Sequence, residues 1–103
     1  MSGYVLHPAA YDDLEDIWEY IATDSINSAD RVIDEIHETI QALVAFPHQG
    51  HRRPDLSSRP IRFTTVREYL LAYALDEKPL LILAVIHGRR NPRIIAAMLH
   101  RRK

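Results

Sequence analysis

The sequence predicts an α+β domain in which an N-terminal strand and a two-helix hairpin pack on a small antiparallel sheet of about four strands, followed by a short C-terminal helix. Two observations predict this arrangement. The first half of the chain repeats apolar residues at three- and four-residue spacing, whereas the second half holds short apolar runs separated by turn residues. The 103 residues, 47% of them hydrophobic, suffice for one domain with its own core, which we place over residues 1–103.

The first half is predicted to form a strand and a helical hairpin. Tyr4-Val5-Leu6 is a strand candidate, and Pro8 suits the first position of a helix because a missing N–H costs nothing there. An apolar stripe then follows at Leu14, Ile17, Trp18 and Ile21. Residues 24–28, four of them polar, interrupt it. A second striped helix follows and stops at Phe46-Pro47, because Pro47 disfavours helix in the residue before it.

The second half is predicted to supply the rest of the sheet. Residues 48–60 are rich in Pro, Gly, Ser and Arg without periodicity, which indicates a loop. Strands are predicted over 61–66, 69–75 and 80–86, and the four residues 76–79 are few enough to join the last two as an antiparallel hairpin. Residues 94–99 predict one or two helical turns.

The last predicted strand is the most informative stretch of the chain. Its seven apolar residues, Leu80–Ile86, are too few for a membrane span and too short and β-branched for a helix. A turn with a histidine and two arginines follows at once, His87-Gly-Arg-Arg90. A buried strand therefore carries a cationic turn to the edge of the domain.

The composition excludes several classes of site. No cysteine is present, which removes disulfides, thiol nucleophiles and cysteine-bound zinc, and which fits a reducing cytosol. The N-terminus lacks the basic and apolar regions of a signal peptide. We therefore expect a cytoplasmic protein with no membrane association.

The net charge of −1 conceals two oppositely charged halves. Residues 1–46 hold ten acidic residues and one basic residue, whereas residues 47–103 hold twelve basic and four acidic residues. Such clusters of like charge are often only solvated surface. The basic residues of the second half are nearly all arginine, however, and arginine also suits recognition of phosphates and carboxylates. Both interpretations stay open at this point.

The motifs of several common sites are missing. The three glycines are too far apart for a phosphate-binding loop, and neither a nucleophile elbow nor a His-Glu-x-x-His helix occurs. His48 and His51 flank Gly50, but two histidines without a third ligand seldom bind a metal. Tyr69 and Tyr73 share a sheet face and are predicted to be core or interface aromatics. We therefore expect neither a metal nor a cofactor.

The remaining candidates are basic side chains in the second half. They are Arg62, Arg67, His87, Arg89, Arg90, Arg93, His100, Arg101 and Arg102. In an antiparallel sheet these groups can converge on one face and bind a phosphate backbone, bind an acidic peptide, or cleave RNA with His87 or His100 as proton carriers. The alternative for His87 is a purely structural role, in which it ends the strand and hydrogen-bonds the turn backbone.

The order and spacing of these segments resemble the RelE/ParE superfamily of bacterial toxin–antitoxin toxins. The resemblance rests on residues 6–21, on Phe46-Pro-His-Gln-Gly50, on Arg62, on residues 67–73 and on the closing strand 82–90. It covers residues 4–90, nearly the whole chain. It implies a helical hairpin packed on a small sheet and a cognate antitoxin whose extended tail wraps the toxin.

Two branches of this superfamily differ in target. ParE-like toxins act on DNA gyrase without hydrolytic residues of their own, whereas RelE-like toxins cleave mRNA on the ribosome. The long acidic first helix, the Phe-Pro-x-x-Gly link and the His-Gly-Arg-Arg ending look more like the ParE-like branch. Ribosome-bound nucleases are usually basic proteins, whereas this chain has a net charge of −1. If the RelE-like alternative holds, the resemblance implies that His87, Arg62, Arg89 and His100 are catalytic.

The resemblance also implies partners. We expect a cognate antitoxin, with which the toxin can form a heterotetramer or larger complex, and DNA gyrase as the target, with the ribosome and mRNA as the alternative. The predicted contact residues for target or antitoxin are Arg62, Arg67, His87, Arg89, Arg90 and Arg93. A further alternative is an inactive or regulatory module that only binds its partner.

Overall fold

The computed structural model describes residues 3–102, which form three α-helices and one four-stranded sheet. The elements in chain order are β1 (Tyr4–Leu6), α1 (Pro8–Ala22), α2 (Ile26–Ala45), β2 (Ile61–Val66), β3 (Tyr69–Ala74), β4 (Leu80–His87) and α3 (Pro92–Arg101). A single 3-10 turn, Pro47–Gln49, follows α2. The predicted α+β class and the order of its elements are confirmed.

The sheet is mixed rather than wholly antiparallel. Its strand order is β1-β4-β3-β2, with β1 parallel to β4 and the other neighbours antiparallel. The two antiparallel pairs follow from short connections, which leave the chain no choice of direction. The whole helical hairpin separates β1 from the other strands, so no tight turn determines the direction in which it pairs.

Two hydrophobic layers enclose the sheet. Helices α1 and α2 cover one face, with Ile36 and Ile40 of α2 completely buried. Helix α3 covers the other face with Ile95 and Leu99, together with Leu56 from the long loop. All six residues of β3 are buried, as its apolar pattern on both faces predicts.

Side chains determine where the helices begin. The Nδ1 atom of His7 accepts a hydrogen bond from the N–H of Ala9 at 3.0 Å and caps α1, with Pro8 in the first turn. The hydroxyl of Ser25 accepts from the N–H of Ser28 at 3.1 Å and caps α2. Helix α2 ends before Pro47, as predicted.

The structure corrects three element boundaries. Strand β3 ends at Ala74 rather than residue 75, and β4 extends to His87 rather than residue 86. Helix α3 is longer than the predicted 94–99, because Asn91 caps it by accepting from the N–H of Arg93 at 2.9 Å, and Pro92 fits its first turn. Among residues 3–102 no helix is long and apolar enough to cross a membrane.

Candidate functional site

A groove of about 620 Å³ lies between α1, the second half of β4 and α3. We call it the α1–β4 groove. Its lining residues are Ala9, Asp12, Asp13, Asp16, Ile17, Tyr20, Glu68, Tyr69, Val85, Ile86, His87, Arg90, Met98 and Arg102. The groove is large enough for side chains of a partner protein or for a small molecule.

The groove exists because β1 is much shorter than β4. Strand β1 pairs only with Leu80–Ile82, so the edge of β4 beyond Ile82 has no neighbouring strand. Backbone groups alternate between the two edges of a strand, which directs the carbonyl of Val85 and the N–H of His87 into the groove. An unpaired strand edge of this kind can accept an added strand.

Asp13 and Arg102 occupy part of this edge. The Oδ2 atom of Asp13 accepts a hydrogen bond from the N–H of Val85 at 3.0 Å, and Nη1 of Arg102 donates to the carbonyl of Leu83 at 3.1 Å. The two side chains also form an ion pair at 2.6 Å, and they are only 13% and 12% exposed. The two side chains therefore bond to backbone groups of β4 that a neighbouring strand would otherwise pair with, and they connect α1 to the end of α3.

The remaining polar residues of the groove lining include charges of both signs. Asp12 and Asp16 lie on α1, and Glu68 lies in the turn between β2 and β3. His87 and Arg90 lie at the end of β4. A partner that fills the groove therefore meets two carboxylates on α1, and meets the Glu68 carboxylate, the His87 ring and the Arg90 guanidinium near the end of β4.

His87 is positioned by two contacts. Its Nδ1 atom accepts a hydrogen bond from the N–H of Arg89 at 3.1 Å, and its ring meets that of Tyr69 edge-on with centroids 5.8 Å apart. Burial raises the pKa of the Tyr69 phenol above its usual value. The hydrogen bond to Arg89 is the turn-stabilising role that the structural interpretation of His87 predicts.

Three arginines beside the groove are exposed to solvent. Arg89, Arg90 and Arg93 lie between the end of β4 and the first turn of α3. Within residues 3–102 none of them forms an ion pair. The guanidinium of Arg90 donates a weak hydrogen bond from Nη1 to the sulfur of Met98 at 3.7 Å. Their charges are available to a partner.

Arg62 lies at the opposite end of the sheet. Arg62 is opposite Tyr73 of β3, and Tyr73 is opposite Ile82 of β4. Because His87 lies five residues beyond Ile82, Arg62 and His87 are roughly 16 Å apart along the strand direction. The Nη1 atom of Arg62 donates to the carbonyl of Gly50 at 2.9 Å. The structure therefore does not bring Arg62 together with His87.

Arg67 is at the same end of the sheet as His87 but faces α2. Its guanidinium forms a bidentate pair with Glu35, with distances of 2.8 and 2.6 Å. This hydrogen-bonded pair lowers the pKa of the Glu35 carboxyl and raises the pKa of Arg67. Arg67 also adopts the left-handed backbone conformation, with φ of 55°, in the turn between β2 and β3.

The other predicted candidates lie outside the groove. His100 and Arg101 are exposed in the last turn of α3. His48 and His51 are exposed in the long loop, and His51 pairs with Phe63 as an isolated bridge. Among the described residues no group of three or more possible metal ligands occurs.

Asp13 was not among the residues predicted from the sequence, and Arg102 was a candidate only as part of the basic C-terminal segment. One signal was available for Asp13. Asp13 lies three residues after Ala10 and four before Ile17, which places it at the border of the buried stripe of α1 and not on the solvent face. No comparable signal exists for Arg102, because the path of α3 across the sheet determines its position.

A comparison with protein families agrees with this architecture. Residues 4–92 match the model of a family described as the ParE toxin of the type II toxin–antitoxin system, parDE. The chain belongs to the ParE toxin family. Family membership confirms the resemblance to the RelE/ParE superfamily and makes the protein the toxin of a type II toxin–antitoxin system, with a cognate antitoxin as its implied partner.

The ParE family match covers β1 through the first residue of α3. The helical hairpin, the sheet and the arginine turn therefore all belong to the ParE-like part of the chain, whereas Arg102 lies beyond it. No curated protein matches this chain.

Proposed function

We propose that this ParE-family protein inhibits growth by acting on DNA gyrase in the cytoplasm, and that a cognate antitoxin neutralises it by binding in the α1–β4 groove. The observation that carries the proposal is the groove itself, which follows an unpaired strand edge and ends at Arg90, with the exposed Arg89 and Arg93 close to it in the chain. These features suit contact with another protein, because they offer backbone hydrogen bonds, apolar surface and charge together.

Each part of the groove has a role in this proposal. An extended antitoxin segment adds beside β4 and takes up the carbonyl of Val85 and the N–H of His87. Apolar side chains of the segment pack on Ile17 and Met98, which line the groove. Acidic side chains of the segment bind the arginines, which form bidentate bonds with carboxylates.

The geometry supports action on a protein target over mRNA cleavage. RNA cleavage needs a base, an acid and phosphate-binding cations around one phosphate. Of the four residues that the RelE-like alternative uses, His87 and Arg89 are in contact, whereas Arg62 is at the far end of the sheet and His100 lies outside the groove that His87 lines. The exposed arginines then serve as a contact surface for gyrase.

The decisive experiment compares the two targets directly. The protein is made by cell-free synthesis and added to a gyrase supercoiling assay and to a translating extract. We expect loss of supercoiling or trapped DNA breaks, with intact mRNA, and recovery of gyrase activity when the antitoxin encoded by the neighbouring reading frame is added.

Two outcomes would contradict the proposal. Codon-placed cuts in mRNA that disappear in His87→Ala or Arg62→Ala would establish the RelE-like alternative. Antitoxin binding without inhibition of gyrase or translation would establish a module that only binds its partner. A catalytically silent but folded variant is distinguished from an unfolded one by its thermal unfolding curve.

A further inference from the structure

A second, smaller pocket of about 220 Å³ lies at the end of the sheet away from the α1–β4 groove. It is bounded by the long loop and the beginning of β2, and its lining residues are Arg52, Ser58, Pro60, Ile61, Arg62 and Leu75. Two of the six are arginines, one is a serine, and none is acidic. This composition favours an anionic ligand.

Arg62, which lines this pocket, has a side-chain N–H group without a hydrogen-bond acceptor among the described residues. Its Nη1 atom is held by the carbonyl of Gly50, whereas its Nε atom is buried and has no hydrogen-bond partner among the described residues. Leaving a charged donor buried without an acceptor is unfavourable, and native structures rarely do so without a functional reason. An oxyanion bound beside the guanidinium would supply the missing acceptor after a small shift of the side chain.

Arg52 is free to assist. The neighbouring Arg53 is paired with Asp55 at 2.8 Å, and Nη1 of Arg59 donates to the carbonyls of Leu99 and Arg102. Arg52 is exposed and, within residues 3–102, forms no ion pair. The only acidic residue of loop 48–60 is Asp55, which is paired with Arg53, and the acidic residues that follow β3, Asp76 and Glu77, line a separate neighbouring pocket.

We propose that this pocket binds a phosphate group through Arg52 and Arg62, with the Ser58 hydroxyl as a further donor. Guanidinium groups bind phosphate oxygens in pairs, and hydroxyls complete such sites. The volume is below the roughly 300–1,000 Å³ of sites for drug-sized ligands, which suits a phosphate rather than a whole nucleotide. The site goes beyond the proposed function, because neither gyrase nor the antitoxin is needed for it.

The test is an NMR titration of the isolated protein with inorganic phosphate at constant ionic strength. The arginine Nε–H signals are followed, and the Arg62 signal is identified by its loss in Arg62→Lys. We expect that signal to shift and saturate, while the Arg59 signal stays still. The Arg52→Gln variant should weaken phosphate binding about tenfold, the loss expected for one charge-assisted hydrogen bond.

Arg53→Gln is the matched control, because Arg53 is the adjacent arginine but is already paired with Asp55. It should bind phosphate as the unchanged protein does. Equal weakening by Arg52→Gln and Arg53→Gln, or a shift that rises linearly with phosphate at every arginine, would mean only non-specific attraction and would overturn the proposal. Thermal unfolding of both variants separates loss of the site from loss of the fold.

A parallel titration identifies the source of the phosphate. A short thymidine oligonucleotide without terminal phosphates replaces inorganic phosphate. Saturation by inorganic phosphate alone supports a site for a free phosphate or phosphate monoester, and saturation by both supports one that also takes nucleic-acid backbone. Saturation by neither overturns the proposal, and leaves the proposed action on gyrase untouched.

Discussion

Asp13 and Arg102 lie 89 positions apart in the sequence and form a two-point ion pair, with nitrogen–oxygen distances of 2.6 and 3.1 Å. Each also bonds to the backbone of β4, Asp13 at Val85 and Arg102 at Leu83. The pair thus occupies the edge of β4 that β1 is too short to cover, and it fastens α3 across the sheet to α1.

Removing Asp13 should destabilise the protein clearly. The Asp13→Ala change leaves the Arg102 guanidinium largely buried without its counter-charge and the N–H of Val85 without its acceptor. Breaking a mostly buried pair from one side usually costs several kcal/mol, and we expect a loss of about 2–3 kcal/mol in the free energy of unfolding. Urea denaturation monitored by circular dichroism measures it.

The adjacent Asp12 is the control for this change, because it is exposed on the same helix. Asp12→Ala should alter the free energy of unfolding by less than about 0.5 kcal/mol. A double-mutant cycle with Arg102→Met then isolates the coupling energy of the pair. Equal effects of the two aspartate changes would show that the ion pair contributes nothing specific to stability.

Gly50 is predicted to be intolerant of any side chain. A Cβ atom there would lie 2.9 Å from Cε1 of Tyr73 and 3.0 Å from the carbonyl oxygen of Phe63. Tyr73 is fully buried and cannot move aside, so Gly50→Ala should lower the free energy of unfolding by about 2 kcal/mol. Thermal denaturation of the variant measures this loss.

Gly88→Ala provides the comparison for Gly50→Ala. The nearest atom to a Cβ at Gly88 is the carbonyl oxygen of Glu68, at 3.3 Å, and the residue is exposed. Gly88→Ala should therefore lower the free energy of unfolding by less than Gly50→Ala does. If Gly88→Ala destabilises the protein as much as Gly50→Ala, close packing around Tyr73 does not explain the glycine in the Phe46-Pro-His-Gln-Gly50 segment.

Alkaline pH should destabilise the protein through Tyr73. Burial raises the pKa of this phenol above its usual value of 10.0, although a hydrogen bond with Gly50 opposes the shift. Because the folded-state pKa is the higher one, the stabilisation is complete below pH 10 and is lost as the pH rises through the folded-state value. Stability measured against pH should fall in this alkaline range.

The Tyr73→Phe variant tests this assignment. The absorbance change of tyrosine ionisation above the usual pH range should become smaller but not disappear, because the pKa of Tyr69 is also raised, and the stability of the variant should depend less on alkaline pH. It should also be less stable at neutral pH by about 1–2 kcal/mol, because the hydroxyl donates to the carbonyl of Pro47 at 2.5 Å and accepts from the N–H of Gly50. An unchanged titration would refute the assignment.

The exposed arginines should matter for binding and not for folding. Combining Arg89→Ala with Arg93→Ala removes two charges that form no ion pair within residues 3–102, so thermal stability should stay the same. Affinity for the antitoxin should fall about tenfold, as expected for two charged contacts at the edge of an interface. Titration calorimetry measures the affinity.

Arg31→Ala is the control for charge alone, because Arg31 is exposed on α2 and lies outside the α1–β4 groove. It should leave antitoxin affinity unchanged at moderate salt. A loss equal to that of the double variant would indicate long-range attraction between oppositely charged proteins rather than a contact at the arginine turn.

The elements of this fold were predictable because their signals are local. Helix α2 ends before Pro47 because of the proline ring, and all residues of β3 are apolar because both faces of the strand are covered. The length of α3 was underestimated, since Asn91 and Pro92 were treated as a turn rather than as a cap and a first helical residue. The direction of β1 carries no local signal at all.

The candidate site was only partly predictable. The arginine turn at 87–90 was found because it interrupts a buried strand, and the ParE family match supports the functional class. The expected convergence of Arg62 with His87 was wrong, because two successive antiparallel pairings make β2 run in the same direction as β4, which puts the start of β2 and the end of β4 at opposite ends of the sheet. Arg102 was a candidate as part of a basic tail, but its pairing with Asp13 could not be predicted, because Asp13 looks like an ordinary charged residue of α1.

The sequence by itself determined the helical hairpin, the last three strands, the cationic turn and the resemblance that identified the toxin family. These depend on periodicity, turn residues and motif order, which act over a few positions at a time. Only the tertiary structure decided that β1 runs parallel to β4, that half of the β4 edge stays open, and that Asp13 meets Arg102 across it. Such contacts join residues far apart in the chain, and packing of the whole domain alone determines them.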